Sequence, residues 1–153
     1  MEELTGSEIA LCHEVRSMCA CNQLRRASRA MTQIFDGVVA PSGLKVTQLP
    51  ILVGLGSEGP LAVTTLAAAL GLDRTTLTRN LEVLEGRGLV RDVKHDGDAR
   101  VRMTALTPEG SRVLSEALER WEQVQQTVTK RFGEERLRAL YAELDELAAV
   151  AGI

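Results

Sequence analysis

Apolar residues recur at intervals of three or four along most of this chain, and that spacing is typical of amphipathic helices. The spacing predicts one long first helix over residues 7–37, with Ser7 as its N-cap and Gly37 at its end. The sequence A-P-S-G at 40–43 contains two helix breakers, so we expect the chain to turn there.

Two shorter helices are predicted between this turn and residue 71. Thr47 is placed to cap the second helix, whose apolar positions are Leu49, Ile51, Leu52 and Leu55. The third helix has three inward positions, which are Leu66, Ala67 and Leu70. Gly71 is placed to end it, because glycine readily adopts the left-handed backbone of a helix terminus.

The next segment combines a fourth helix with a β-hairpin. Asp73 is a strong N-cap, and the helix behind it carries one buried stripe made of Leu77, Leu81 and Leu84. Residues 89–94 and 101–106 alternate in polarity or carry β-branched side chains, and H-D-G-D-A-R between them favours a turn. These two segments therefore predict a two-stranded hairpin.

Two further helices complete the chain. Thr107 followed by Pro108 and Glu109 is a helix start signal, and the fifth helix begins there. The fifth and sixth helices carry apolar stripes that include Leu114, Leu118, Trp121, Val128, Leu137, Leu140, Tyr141, Leu144 and Leu147. The central unit is too small to cover these stripes, so the pattern predicts a partner subunit. A two-fold dimer is the commonest arrangement.

The predicted fold is mainly α with a small β-hairpin wing, in which a winged helix-turn-helix is flanked by dimerisation helices. A length of 153 residues suits one folding unit. No apolar run in the sequence approaches the ~18–20 residues of a membrane span, and the acidic N-terminal sequence is unlike a signal peptide. We therefore expect a cytoplasmic protein with no membrane partner.

Net charge does not by itself indicate nucleic-acid binding. The chain carries −3, and residues 73–102 contain seven basic and six acidic side chains. DNA binding is predicted instead from where particular residues are placed. Opposite the leucine stripe, the start of the fourth helix carries hydroxyl, amide and guanidinium groups, which belong to Arg74, Thr75, Thr78, Arg79 and Asn80.

Each of these groups suits double-stranded DNA. Arginine binds guanine through two hydrogen bonds, hydroxyls donate to phosphates, and the threonine methyl contacts thymine. In a helix-turn-helix the N-terminal residues of the second helix meet the bases. The alternative is the solvated face of an ordinary amphipathic helix.

The hairpin tip carries a second set of charged residues. Lys94, His95, Arg100 and Arg102 surround an acidic turn that contains glycine. A single arginine on a ribbon suits the narrow minor groove, whose negative potential attracts guanidinium. Asp98 precedes Arg100 by two residues and is placed to orient it. An ordinary charged turn is the alternative.

The sequence from L-A-A-A-L-G-L-D-R-T-T-L-T-R to L-E-G-R-G-L-V-R, with D-A-R at 98–100 and L-T-P-E-G at 106–110, resembles the MarR family of bacterial transcriptional regulators. The resemblance covers most of the chain. It implies a single MarR-type domain over 1–153, with a winged helix-turn-helix lobe at 47–107 and dimerisation helices at 7–37 and 108–153. The family's wings usually carry more basic residues than H-D-G-D-A-R.

The resemblance also implies a function. Family members are homodimers that usually repress neighbouring genes, and small ligands or oxidants release them from DNA. We therefore expect a repressor on a pseudo-palindromic operator, with a small-molecule inducer in the cleft between the dimer helices and the winged lobes. By position, Arg100 is the wing arginine and Asp98 its orienting partner. The implied recognition-helix contacts are Arg74, Thr75, Thr76, Thr78 and Arg79.

Cys12, Cys19 and Cys21 are the one indication of a sensor in the sequence. In a continuous helix Cys12 and Cys19 would lie about 10 Å apart along the axis, beyond disulfide reach. Cys19 and Cys21 would point to nearly opposite sides. A disulfide or a shared metal would therefore need an interchain arrangement or loss of helix here. The cysteines are either small apolar residues packed against a dimer partner or thiols that sense an oxidant or a soft metal.

The sequence contains no motif typical of an enzyme, such as a Gly-rich phosphate loop, H-E-x-x-H or G-x-S-x-G. We therefore expect no catalysis, no cofactor and no metal site. The alternative to a DNA-binding regulator is a winged-helix module that binds a ligand or a protein without reading DNA sequence.

Overall fold

The computed structural model describes residues 3–93 and 103–150, and most of that length is helical. The helices are α1 (Gly6–Met18), α2 (Ala20–Val39), α3 (Leu49–Glu58), α4 (Val63–Ala69), α5 (Arg74–Gly86), α6 (Pro108–Phe132) and α7 (Glu134–Val150). The strands are β1 (Leu61–Ala62), β2 (Val90–Val93) and β3 (Met103–Leu106). The prediction of a mainly α fold with a small β wing is confirmed.

The prediction of a single helix over 7–37 is wrong. Cys19 has an extended backbone with φ −66° and ψ 113°, and it separates α1 from α2. Two amide side chains just beyond the break donate to carbonyl oxygens near the end of α1, Asn22 to Val15 at 3.4 Å and Gln23 to Ser17 at 2.8 Å. The Gln23 bond satisfies the Ser17 carbonyl, which a continuous helix would have used internally, whereas the Val15 carbonyl also accepts from the Cys19 amide at 3.3 Å.

The cap of α1 also differs from the prediction. Thr5, and not Ser7, is the N-cap, and it forms a reciprocal capping box with Glu8. The Thr5 amide donates to the Glu8 carboxylate at 2.7 Å, while the Thr5 hydroxyl donates to the same carboxylate at 2.6 Å. At its other end the second segment continues past Gly37 to Val39.

The turn at 40–43 is present, and the helix after it begins one residue later than predicted. Ala40–Ser42 form a 3-10 turn, and Gly43 follows with a φ of 73°. Gln48, and not Thr47, is the N-cap of α3, and its buried side chain accepts a hydrogen bond from the Lys45 amide at 3.1 Å. Gly71 ends α4 with a φ of 60°, as predicted.

One hydrophobic core unites the central helices with the end of α2 and the start of α6. The leucine stripe of α5 and the apolar positions of α3 lie in it, as the periodicity predicted. Full burial of one such side chain contributes about 1.5–3 kcal/mol, so these elements are held chiefly by their apolar faces. The most completely buried aliphatic side chains are Val39, Ile51, Leu52, Leu66, Leu77, Leu81 and Leu84.

The sheet has three antiparallel strands in the order β1-β3-β2, and the predicted two-stranded hairpin is its larger part. In β2 and β3, Val90 lies opposite Leu106 and Val93 lies opposite Met103. The third strand, β1, was missed because two residues are too few to show an alternating pattern. It pairs Leu61 with Thr104 and so attaches the start of α4 to the wing.

Thr107 joins the wing to α6. Its amide donates to the Leu89 carbonyl at 3.1 Å, and its hydroxyl donates to the Gly88 carbonyl at 2.6 Å. The same hydroxyl caps α6 by accepting from the Gly110 amide at 2.9 Å. A β-carbon added to Gly110 would overlap the carbonyl oxygen of Leu89 and lie 2.9 Å from its carbon, so the close approach requires glycine.

Apart from the end of α2 and the start of α6, the outer helices contribute little to the core. α6 packs on α2, α3 and α7, whereas α1 packs mainly on α2 and buries none of its side chains. In α7 Leu137 is the one buried residue among those described. None of the described helices has the length and apolar character needed to cross a membrane.

Candidate nucleic-acid interface

The start of α5 is fixed by Asp73, as predicted. One oxygen of the Asp73 carboxylate accepts from the Thr76 amide at 2.8 Å, and the other accepts from the Thr76 hydroxyl at 2.6 Å. The hydroxyl bond, followed by the amide bond, holds the pKa of the Asp73 carboxyl below its ordinary value. The carboxylate therefore stays charged at neutral pH, where it also complements the positive end of the helix dipole.

The outer face of α5 presents arginine and threonine side chains to solvent. Arg74, Thr75 and Arg79 are exposed, and Thr78 is half-buried. Within the described residues none of these four side chains has a hydrogen-bond or ion-pair partner. They are consequently available to an external ligand. Val83, which sequence reasoning did not select, extends the same face and is also exposed.

Two of the predicted contact residues, Thr76 and Asn80, form side-chain hydrogen bonds at the start of α5. The Thr76 hydroxyl donates to the Asp73 carboxylate at 2.6 Å. The Asn80 side chain is half-buried, and its amide nitrogen donates to the Thr76 carbonyl at 2.9 Å. The amide oxygen of Asn80 and the methyl group of Thr76 are the parts of these side chains that those bonds do not use. Contacts from both residues to DNA stay a prediction.

The wing tip lies outside the described residues. This applies to the predicted contacts Lys94, His95, Arg100 and Arg102 and to the orienting residue Asp98. The strands that carry the tip are described up to the pair Val93 and Met103. The wing contacts therefore stay a prediction.

Arg87, which sequence reasoning missed, ties the far end of α5 to the 3-10 turn that follows α2. One guanidinium nitrogen donates to the Gly43 carbonyl at 2.6 Å, and the other lies 3.5 Å from the Ser42 carbonyl. The partners are more than forty positions apart in the sequence, so no local pattern would have identified this contact.

The outer helices expose a large apolar surface, which we call the terminal-helix surface. Its members on α1 and α2 include Ile9, Leu11, Val15, Leu24, Met31 and Ile34, and those on α6 and α7 include Leu118, Trp121, Leu140, Tyr141, Leu144 and Leu147. These helices pack on one another, and monomeric proteins rarely expose large apolar patches. A partner subunit that covers this surface would bury the apolar stripes that the central unit is too small to cover.

The cysteines lie on the same outer helices. Cys12 and Cys21 are exposed and Cys19 is half-buried, and all three are free thiols. Because the backbone is extended at Cys19, the predicted separations based on one continuous helix do not apply. Within the described residues no three His, Cys, Asp or Glu side chains are grouped closely enough to hold a metal ion.

A groove of about 450 Å³ lies between the end of α3, the sheet and the first half of α6. Its walls are mostly aliphatic and include Leu55, Pro60, Leu106, Leu114 and Leu118. The exposed Arg91 and Ser115 supply a cation and a hydroxyl. The volume is in the range of small-molecule sites. The groove lies between a predicted dimerisation helix and the winged lobe, where an inducer was expected.

Comparison with known proteins gives consistent relatives. A model of the MarR family matches residues 42–101. The HTH-type transcriptional regulator PecS of Dickeya dadantii (strain 3937) is 28% identical over 139 residues, which cover 87% of this chain and 84% of the relative.

Solved structures resemble the chain over most of its length. The M. tuberculosis transcriptional regulator MOSR, solved in complex with DNA, is 39% identical, with 88% of this chain and 99% of that one covered and a TM-score of 0.77. The transcriptional repressor CouR, bound to a 23-mer DNA duplex, is 26% identical, with 97% and 99% covered and a TM-score of 0.79.

Proposed function

Because this chain belongs to the MarR family, we propose that it is a homodimeric DNA-binding transcriptional repressor that occupies a pseudo-palindromic operator near its own gene. The chain is a transcriptional regulator with a winged helix-turn-helix, and α5 is its recognition helix. We assign it a binding function without catalysis, and we place it in the cytoplasm, where a bacterial regulator meets the chromosome.

The outer face of α5 carries this proposal. A capped helix presents Arg74, Thr75, Thr78 and Arg79 outward, opposite a leucine stripe that anchors it in the core. An unpaired guanidinium in the first turns of a recognition helix can bind guanine by two hydrogen bonds, and each such pair contributes about 1–3 kcal/mol of discrimination. A relative 39% identical to this chain was solved with DNA bound.

A homodimer accounts for the terminal-helix surface. We propose that α1, α2, α6 and α7 form the interface, and that residues 47–107 form the DNA-binding lobe of each protomer. A two-fold axis through that interface would place two copies of α5 on successive turns of one DNA face, about 34–36 Å apart. The operator is then expected to be pseudo-palindromic.

The groove beside Arg91 is the proposed inducer site. Its lining contains no aromatic side chain among the described residues, so flat stacking ligands have little to bind there. A small molecule with an aliphatic or compact ring body and a carboxylate would match the leucine walls and the Arg91 guanidinium. Thiol-reactive release through Cys12, Cys19 or Cys21 is the second proposed signal.

The test is binding to DNA that flanks the chain's own coding region. Footprinting would locate the site, and fluorescence anisotropy at several salt concentrations would give its affinity. Arg79→Ala should weaken binding by roughly tenfold or more and relax sequence preference at one base position in each half-site. Arg112→Ala is the matched control, because Arg112 is an exposed arginine on α6 that is already paired with Glu109 and Glu116.

Three outcomes separate the possibilities. Loss of specific binding in Arg79→Ala with normal binding in the control supports the assignment. Equal affinity of wild type and Arg79→Ala would show that this contact is wrongly placed. A wild-type protein that binds no duplex specifically, at any salt concentration, would favour the winged-helix module that does not read DNA sequence.

A further inference from the structure

Arg87 stands at the junction between the recognition helix and α2, and it belongs to neither the proposed DNA contacts nor the core. α5 packs mainly on α4 and β2, whereas α2 packs mainly on α1 and α6. The bonds from Arg87 to the Ser42 and Gly43 carbonyls therefore join the end of α5 to the turn that follows α2, and outside the shared core the two helices contact mainly different elements. We call this junction the Arg87 bridge.

The backbone on the Arg87 side of the bridge is fixed. The Arg87 amide donates to the Val83 carbonyl at 3.2 Å, as the last turn of the helix. The next two amides, of Gly88 and Leu89, donate back to Glu85 and Leu84 at 2.8 and 2.9 Å. Gly88 has a φ of 69°, which completes a Schellman-type helix end. The Arg87 side chain therefore extends from a backbone that has little freedom to move.

The backbone on the receiving side is also fixed. The Gly43 amide donates to the Ala40 carbonyl at 2.8 Å, and the buried Ser42 hydroxyl donates to the Val39 carbonyl at 2.6 Å. Gly43 has a φ of 73°, and a β-carbon there would lie 2.7 Å from a guanidinium nitrogen of Arg87. Glycine at this position thus provides both the turn and the space for the arginine.

We propose that Arg87 is a positioning residue that sets the angle of the recognition helix relative to α2, and with it the half-site spacing that the dimer accepts. This inference rests on the proposed function as a dimeric DNA-binding regulator. Arginine suits the task because its planar fork can donate to two neighbouring carbonyl groups at once, which constrains direction as well as distance.

The geometry makes spacing sensitive to a small change at this point. α5 contains 13 residues and is about 20 Å long. A tilt of ~10° about its Arg87 end would displace its N-terminal residues by about 3 Å. Two-fold symmetry moves both copies of α5, so the half-site separation would change by up to about 6 Å, which is between one and two base-pair rises of about 3.4 Å; each inserted base pair also rotates one half-site by about 34–36° relative to the other.

The experiment compares Arg87→Ala with wild type on the footprinted fragment and on versions with one base pair inserted or removed between the half-sites. We expect Arg87→Ala to bind the native spacing about 3–10-fold more weakly, as loss of one hydrogen bond of ordinary net strength predicts. Affinity for the altered spacings should change by less than about twofold, so that discrimination between spacings narrows.

Two further variants distinguish positioning from a direct phosphate contact. Arg87→Lys keeps the charge but lacks the planar fork, and it should retain the spacing defect. Gly43→Ala changes no charge and should reproduce that defect, provided that circular dichroism shows a folded protein. Arg112→Ala is the control for removal of a positive charge. Full recovery in Arg87→Lys, or equal weakening on every spacing in Arg87→Ala, would overturn the proposal.

Hydrogen exchange tests the bridge without DNA. In Arg87→Ala the Gly43 amide and its neighbours at 44–46 should exchange faster than in wild type, while amides in α7 should be unchanged. Unchanged exchange at 43–46 would overturn the proposal even if the protein binds its operator. A wild-type protein that binds no operator but shows the exchange effect would instead refute the proposed function and leave the bridge as a structural tie.

Discussion

Replacing Gly110 with alanine should strongly weaken the attachment of the wing to α6. The added β-carbon would overlap the Leu89 carbonyl oxygen and approach a methyl group of Leu106 to 3.3 Å. Overpacking of a buried site costs about 1–3 kcal/mol. The same movement would lengthen the bond from the Thr107 amide to the Leu89 carbonyl, which is worth another 0.5–1.5 kcal/mol, roughly. We expect a total loss of about 3 kcal/mol.

Thermal unfolding followed by circular dichroism would measure this loss at one fixed protein concentration, since dimer stability depends on concentration. At about 2–4 °C per kcal/mol for a protein of this size, the Tm should fall by roughly 6–12 °C. Gly86→Ala is the matched control, because a β-carbon there has open space around it. Its Tm should stay within about 2 °C of wild type or rise slightly.

The steric argument would be refuted if Gly110→Ala melted within 2 °C, or so, of wild type while Gly86→Ala behaved as expected. A fall in Tm for both variants by the same amount would point to a general intolerance of the lobe to alanine. Denaturant unfolding adds a second check, because an unchanged m-value with a lower midpoint shows that stability itself has decreased.

Three other substitutions have expected outcomes. Thr104 is buried in β3, and its hydroxyl has no hydrogen-bond partner in the described structure. Thr104→Val should therefore raise the free energy of unfolding by about 1 kcal/mol in denaturant titrations. A loss of stability would show that the hydroxyl does have a partner. Asp73→Asn keeps a capping oxygen but removes the carboxylate, whose pKa is lowered in the folded protein. The carboxylate therefore stabilises the fold fully above about pH 4, where free aspartate titrates, and this stabilisation is lost as the pH falls through the lowered pKa of the folded state. The Tm difference between wild type and this variant should therefore be constant from pH 7 to 5 and shrink below about pH 4, and a gap that persisted under acid would contradict the cause assigned. Leu144→Glu should give monomers in sedimentation velocity at micromolar concentration. The control Glu146→Ala changes a side chain about 200° away around α7 and should remain dimeric. A dimeric Leu144→Glu would exclude this part of the terminal-helix surface from the interface.

Local patterns predicted the parts of the fold that depend on local interactions. The Asp73 cap and the leucine stripe of α5 are an example, because a cap bonds within three residues and a buried stripe repeats every turn. The Thr107 start of α6 is another. The break at Cys19 was missed for a related reason. No glycine or proline marks it, and the helical spacing of apolar residues continues through it, while Asn22 and Gln23 supply the bonds that make it tolerable.

The candidate interface could be predicted in its composition but not in its internal bonding. The outward position of Arg74, Thr75 and Arg79 follows from the helical period alone. That Thr76 and Asn80 bond within α5 depends on rotamers, which the period does not specify. The Arg87 bridge joins residues distant in sequence. L-E-G-R-G-L-V-R was noted as a motif, yet nothing within it indicates a partner at Gly43.

The contacts that Arg87 and Thr107 make at the two ends of the α5–wing segment bear on how an inducer could act. Arg87 links α5 to the turn that follows α2, and Thr107 links the base of the wing to α6, so single hydrogen-bonded residues add to the shared hydrophobic core at both junctions. A tenfold change in operator affinity corresponds to about 1.4 kcal/mol, which is close to the worth of one such bond.

An inducer therefore need not unfold or greatly rearrange the lobe. The proposed groove shares Leu106 and Leu114 with the region where the sheet meets α6. A ligand there shifts DNA affinity only as far as it binds one arrangement of that junction more tightly than the other. A preference of tenfold between the two arrangements would be enough to offset one of these bonds, and a ligand with equal affinity for both would bind without releasing DNA.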